Sequence, residues 1–396
     1  MTTTAQTLPP PRTEVGVLGW LRQNLFSTWY NALLTVLAAW LIYSILPPVL
    51  TWVFTQAEWQ VIVTNFRLFM RGQYPDEAVW RLWVGLYFLA LVMGMSWGVW
   101  GQAARTFAAM FAAAALLFAL VPFSLNARLN WVGVLVTLVA AMLLARNRAA
   151  LKPWVILGWV ILLPLTIVLT AGAAWLPFLS PVAPRLWGGL LLTLMLTIIG
   201  NTLALPLGIL LALGRRSSLP AIKSFCIGYI ELWRGVPLVT VLFMAQIMLP
   251  LFLPSEIRVD PVVRVIIGLT LFEAAYQAEN VRGGLQAMPR GQFEAAYALG
   301  LNGVLTMLFI ILPQAIRLVI PALLNSFISL FKDTTLVAIV GLFDLLLIGK
   351  TTLAQPDFLG KYREVYAFLF VVYWVFSMMF SYASQRLEKT LGVGTR

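Results

Sequence analysis

The chain has 396 residues, 61% of them hydrophobic and only 11% charged, where a soluble protein carries about a quarter. Apolar runs such as 83–100 and 186–213 approach or exceed the ~18–20 residues that cross a bilayer core, which excludes a soluble fold. Net charge is +12, but Lys and Arg are scattered singly between the apolar runs and form no stripe that could track phosphates, which argues against a nucleic-acid partner.

Apolar runs broken by charge or by Pro and Gly give, in chain order, spans at about 29–49, 82–102, 107–123, 131–145 and 154–176, then 186–213, 225–253, 261–278, 321–348 and 366–384. Lipid offers backbone N–H and C=O groups no partner, so each is expected to be a helix. The fold class is all-α polytopic membrane protein with about ten transmembrane helices, in a range of eight to ten. Trp29, Trp83, Trp131, Trp154 and Trp187 stand at span edges, where an indole suits the interface. With the amino terminus inside, 15 Lys and Arg fall in cytoplasmic segments against 10 outside, a bias carried by compact patches at 146–152, 215–223 and the carboxyl-terminal tail, which places the amino terminus and these patches in the cytoplasm. Residues 1–12 are polar and Pro-rich with no small-residue cleavage site behind a short apolar core, so the first span is expected to be retained. Gly94 and Gly98 form a small-xxx-small pair that reads as helix packing.

No His occurs, and the one cysteine, Cys226, lies in an apolar stretch; no disulfide, His-bearing triad or zinc site can be built within the chain. No acidic residue occurs between Glu77 and Glu231, so that stretch offers no carboxylate to a metal or to an acid/base pair. Neither catalytic residues nor metal ligands are expected. All acids except Glu14, Glu58, Asp76 and Glu77 lie beyond residue 185, which suggests an amino-terminal extension of about five spans (1–185) followed by a five-span working core (186–396). No internal repeat is evident, so the inverted-repeat logic of many secondary carriers finds no support.

The longest polar interruption of the core begins at Arg282 and belongs to a loop of about 282–313. Pro289 can start a helix there, Ala295, Ala296 and Ala298 favour one, and Gly300 is placed to end it in the left-handed conformation. The expected product is a short surface helix with a small-residue face and Glu294 near its positive end. It suits either a groove on another protein or plain solvent.

Glu294-Ala295-Ala296, then Gly300 after three intervening residues, Ile310 after nine more, and Leu312-Pro313 match in full the EAA loop of permease subunits of bacterial ATP-binding-cassette (ABC) importers. Glu231, Arg234, Gly235 and Pro237, then Ala275 to Gly284 around Glu279 and Arg282, then Asn325 to Leu336 around Lys332 and Asp333, resemble the polar amino-acid branch, the His/Glu/Gln/Arg/opine permeases. The resemblance covers roughly 186–390, with Val236 and Thr335 where the family often has Thr and Ser. The extension is similar to that of general L-amino-acid permeases. The resemblance implies a type I importer core and a coupling helix at Glu294, Ala295, Ala296 and Gly300, with Leu312 and Pro313 closing the motif. It implies a multi-pass inner-membrane location, a sister permease, two ATPase subunits that hold ATP and Mg, a periplasmic amino-acid-binding protein, and no cofactor in this chain. An ion-coupled secondary amino-acid carrier is the alternative reading.

Two further polar groups stand out. Lys332 and Asp333 lie in an apolar run, where ionisable residues are costly and point to function. If Pro321 marks the cytoplasmic start of that span, Lys332 lies ~16 Å along a helix, and the pair with Thr334 and Thr335 complements the two charges of an amino acid. An internal ion pair or a gate would also account for it. Glu231/Arg234 and Glu279/Arg282 are each spaced to pair on one helix face, holding helices or forming an inner gate. Asp344 to Thr351, the nearest approach to a phosphate loop, has Asp344 where the first Gly belongs and no Gly-rich turn, so the chain is not expected to bind ATP.

Overall fold

The computed structural model describes residues 16–121, 124–254 and 256–391; the amino-terminal segment 1–12 and Phe123, the far edge of the third expected span, lie outside them. Among the described residues the protein is built from helices, with two isolated β-bridges and no strand. It divides into two compact units, Met1–Gln60 and Val61–Arg396, and residue 185 falls inside the second.

In the first unit, α1 (Gly16–Asn24) precedes α2 (Trp29–Thr51). The Thr28 side chain accepts the Asn31 N–H and so starts α2, which runs through Pro47 and Pro48 into a π turn at Trp52–Gln56. α2 buries no residue, and a helix apolar on every side and unburied is what a lipid-facing span presents.

The second unit opens with α3 (Gln60–Arg71), α4 (Val79–Trp100), α5 (Gln102–Leu120), α6 (Leu125–Ala145) and α7 (Lys152–Ala171). Gly94 and Gly98 let α4 lie directly on α6: a Cβ at Gly94 would overlap the Leu138 carbonyl oxygen, and one at Gly98 would stand 2.6 Å from that of Met142. Small residues are how membrane helices approach this closely. The extension closes on itself through Arg81, which donates to the Ser180 carbonyl (2.7 Å) and hydroxyl (3.0 Å), and is tied to the core by Gln355 Nε2 donating to Asn65 Oδ1 at 3.1 Å.

The core continues through α8 (Gly189–Gly214), α9 (Pro220–Gly235), α10 (Leu238–Phe243), α11 (Leu249–Phe252), α12 (Pro261–Gln286), α13 (Arg290–Ala298), α14 (Gly303–Leu305), α15 (Leu312–Asp333), α16 (Leu345–Leu353) and α17 (Tyr362–Leu391). α12 is central: Val262, Val265, Leu269 and Phe272 pack with Leu192, Leu196, Val241 and Leu330 in one cluster, and Ala278, Val281 and Leu285 with Ile230, Ile311 and Ala315 in another.

Two expected spans need correction. The seventh is not one rod, since α9 and α10–α11 meet at 104°; Pro237 forces Val236 into extended backbone (φ −106°, ψ 136°) and denies the helix a donor. The ninth does not start at Pro321, which lies inside α15. The apolar stretch runs Gly303–Val340, and Gly341 (φ 80°) and Asp344 separate it from α16. Among the described residues eight stretches are long and apolar enough to span a membrane, the bent pair makes a ninth if it is one span, and Ala104–Leu120 is a shorter apolar helix, which agrees with the expected eight to ten.

Candidate functional site

The loop after α12 builds a short, tightly terminated helix. Pro289 in extended backbone (ψ 139°) precedes α13. At its other end the Gly300 N–H donates to the Tyr297 carbonyl (2.9 Å) and the Leu301 N–H to that of Ala296 (3.1 Å). This paired closure requires the left-handed residue that Gly300 supplies at φ 77°. Arg290, not an acid, occupies the first turn, so Glu294 sits one turn further from the positive end than expected.

Only Ala296 of α13 is fully buried. Phe293 packs into the cluster of Ile311 and Ala315, and the Arg216 guanidinium lies 6.0 Å from its ring centre. Gln314 Nε2 on α15 donates to Gln292 Oε1 at 3.1 Å. Leu312 is half-buried and Pro313 opens α15. Glu294, Ala295, Ala298 and Gly300 face outward with Tyr297 (54% exposed) and Leu299 (81%). A helix anchored on one side and apolar on its free side is shaped to be gripped.

Next to this loop, three arginines converge on Glu279. Arg215 reaches it at 2.8 Å, Arg282 at 2.8 Å and Arg234 at 3.9 Å. Glu279/Arg282 pair on one helix as expected, but Glu231/Arg234 do not: Glu231 takes Arg215 at 3.6 Å. The end of α8 delivers Arg215 between α9 and α12, a tertiary placement that helical spacing cannot register.

Lys332 is exposed, Asp333 half-buried, and no ion pair of 4.0 Å or less joins them among the described residues. The Thr334 hydroxyl donates to the Phe331 carbonyl (2.7 Å) and that of Thr335 to the Lys332 carbonyl (2.8 Å). Thr334 is fully buried, so its hydroxyl caps the end of α15 and is not open to a solute. Asp333 lies within electrostatic reach of Glu273.

Glu273 is the functional candidate that sequence reasoning missed. It lies twelve residues into α12 and thirteen from its end, near the middle of the span at ~18 Å from Pro261, and is 6% exposed. Gln277 Nε2 donates to it at 2.9 Å and reaches Asn201 Oδ1 at a marginal 3.5 Å. The Ser326 hydroxyl of α15 lies beside the same carboxylate and takes the Asn280 amide at 3.1 Å. Thr193, Thr197 and Asn201 extend this polar line along α8, and the buried Thr270 Oγ1 and Gln277 Oε1 have no hydrogen-bond partner. An acid inside an apolar run was the available signal.

A family described as the binding-protein-dependent transport system inner membrane component matches residues 204–393. The inner membrane amino-acid ABC transporter permease protein YhdY of Escherichia coli (strain K12) is 40% identical over 395 residues, 95% of this chain and 93% of that protein. The chain belongs to the amino-acid ABC transporter permeases. The permease is also 37% identical over 440 residues to the glutamate/glutamine/aspartate/asparagine transport system permease protein BztC of Rhodobacter capsulatus, covering 97% of this chain and 95% of BztC. A match to the glutamate/aspartate import permease protein GltK of Escherichia coli O6:H1 is 35% identical and covers 53% of the permease and 94% of GltK. The permease is thus a multi-pass inner-membrane importer component, and the alternative of an ion-coupled carrier is set aside. Because YhdY and BztC match nearly end to end, they share its spans before residue 186.

Proposed function

We propose that the permease, with a sister permease, forms one pathway importing polar L-amino acids, supplied by a periplasmic binding protein and driven by two cytoplasmic ATPase subunits. The observation that carries this reading is α13, a helix closed by Gly300 and anchored by Phe293 and Gln292 while its apolar outer face stays open. An ATPase subunit grips that face. Its motion passes to α12 through the loop and to α15 through Gln314, and the Glu279 cluster, where α8, α9 and α12 meet, acts as the inner gate. ATP and Mg belong to the ATPase subunits: Gly349, Lys350 and Thr351 lie inside α16, behind Asp344 as its N-cap, with no loop to cradle a phosphate.

The substrate path runs along Glu273, Gln277 and Asn201 toward Lys332 and Asp333. Carboxylates there complement a substrate ammonium and Lys332 its carboxylate, with Thr335 at the edge. The name of BztC supports acidic and amide amino acids as cargo. The spans between α4 and α7 brace this core.

Proteoliposomes holding the permease and its partners test the reading. Labelled glutamate or glutamine should accumulate only with ATP, ATPase subunits and binding protein all present. Uptake driven by a proton or sodium gradient without the ATPase would overturn it.

A further inference from the structure

Two cavities beside α4 and α5 have no part in the transport reading. The first, about 340 Å³, is lined by Met93, Trp100, Ala104, Phe107 and Trp159 and by Leu387 of α17. Its polar lining residue, Ser96, is already committed: the hydroxyl donates to the Val92 carbonyl at 2.7 Å and accepts from Trp159 Nε1 at 2.9 Å. The space is therefore apolar in effect. The second, about 370 Å³, is bounded by Trp97, Gly101, Gln102, Arg105, Arg146 and Asn147. Both adjoin the last turn of α4 and the first turns of α5.

Arg105 and Arg146 are exposed, and neither is in an ion pair among the described residues. No acid occurs between Glu77 and Glu231 to neutralise them from nearby sequence. α5 starts at the same place with no acid in its first turn, so the positive end of its dipole is uncompensated. The Asn147 N–H donates to the Gly98 carbonyl at 3.3 Å, which fixes the end of α6 against the end of α4 and holds the two guanidiniums on one rim. Counting spans in alternation puts this rim on the same side of the membrane as α13.

We propose that the paired cavities hold one anionic phospholipid from the leaflet on the α13 side, its phosphate between Arg105 and Arg146 and an acyl chain in the apolar cavity behind Trp100. An acyl chain gains little by leaving one apolar environment for another, so selectivity comes from the headgroup, as in other basic pockets between membrane helices. A free phosphate would use the arginines but leave the apolar cavity without a role. The two spaces together fit a lipid.

The test is lipid retention by the purified full-length permease, measured by native mass spectrometry against phosphatidylglycerol, phosphatidylcholine and inorganic phosphate. Phosphatidylglycerol should be kept in preference to phosphatidylcholine. Arg105→Gln with Arg146→Gln should weaken it about thirtyfold, the effect of two near-surface charges. Arg148→Gln, which lies off the rim, should change nothing, and the double Arg→Lys variant should keep most of the affinity and so exclude misfolding as the cause. Ala104→Phe, which intrudes on the apolar cavity, should weaken phosphatidylglycerol as well. Equal retention of both lipids, retention unaltered in the double Gln variant, or displacement of phosphatidylglycerol by millimolar phosphate would each overturn the proposal.

Discussion

The α4–α6 contact of the extension and the α8–α12 contact of the core are made by the same device and filled with opposite chemistry. Each closes on glycine: Gly94 and Gly98 against the α6 backbone, and Gly208 where a Cβ would stand 2.6 Å from that of Gln277. Around Gly94 the cluster is Ala90, Val134 and Leu138, whereas around Gly208 stand Asn201, Gln277 and, one turn away, Glu273. The extension shows that tight packing in a membrane needs only small residues and complementary shape. The buried acid and amides of the core are therefore not needed to hold helices together. Burial makes the same point, because 61% of the most apolar window of α12 is buried against 11% in α17, yet α12 carries Glu273, Gln277 and Asn280.

The comparison breaks most sharply at Gly94. A side chain there meets a backbone carbonyl that cannot rotate away, so Gly94→Leu should exceed the ~1–3 kcal/mol of ordinary overpacking and abolish recovery of folded protein. Gly85→Leu, on the same helix with nothing within 4 Å of its Cβ, should be near neutral in thermal unfolding and gel filtration.

Glu273→Gln should do the reverse. Losing a charge-assisted contact worth ~1.5–3 kcal/mol should cut uptake at least tenfold, while the melting temperature holds or rises because an amide is cheaper to bury than a carboxylate. Normal uptake with a lowered melting temperature would make Glu273 structural.

At the loop, Gly300→Leu puts a side chain on a residue at φ 77°, a strain of ~1–2 kcal/mol, and Glu294→Lys reverses charge on the exposed face. Both should lower uptake several-fold at unchanged membrane abundance, read by transport assay and immunoblot. Wild-type uptake in both would remove α13 from the coupling path.

The smallest effect concerns Asp344, whose carboxyl accepts the Leu346 and Leu347 N–H groups and is pushed up to about 6, chiefly by burial. Because the folded value is raised, the stability this group contributes is full below its unfolded value of about 3.9 and is lost as pH rises through 6. Asp344→Asn keeps the cap and should raise the melting temperature at pH 7.5 but not at pH 4.

Apolar runs made nearly every span legible, and the EAA spacing located α13 and the Gly300 closure. What escaped had physical reasons. Pro237 and Pro321 sit in equally apolar surroundings, yet one breaks its helix and the other does not, because membrane neighbours can restore what a proline removes; hydropathy cannot tell them apart. Arg215 joined Glu231 and Glu279 only through tertiary placement. The Thr334 hydroxyl was spent on the helix carbonyl three residues back, a local bond that competes with any ligand. Glu273 was readable as a single acid inside an apolar run, but its amide and hydroxyl neighbours come from α8 and α15 and are brought to it only by the tertiary fold.

The bend at Val236 and Pro237 also bears on how the chain reaches the bilayer. Neither α9 nor α10–α11 is long enough to cross alone, and each is fastened to a segment not yet made when it emerges: the Tyr229 hydroxyl to the Leu271 carbonyl at 2.7 Å, and the carbonyl of Gln246 to Arg264 at 2.9 Å. A chain stopped before α12 therefore lacks both fastenings, and the broken segment depends on a helix that follows it in sequence for its place in the fold.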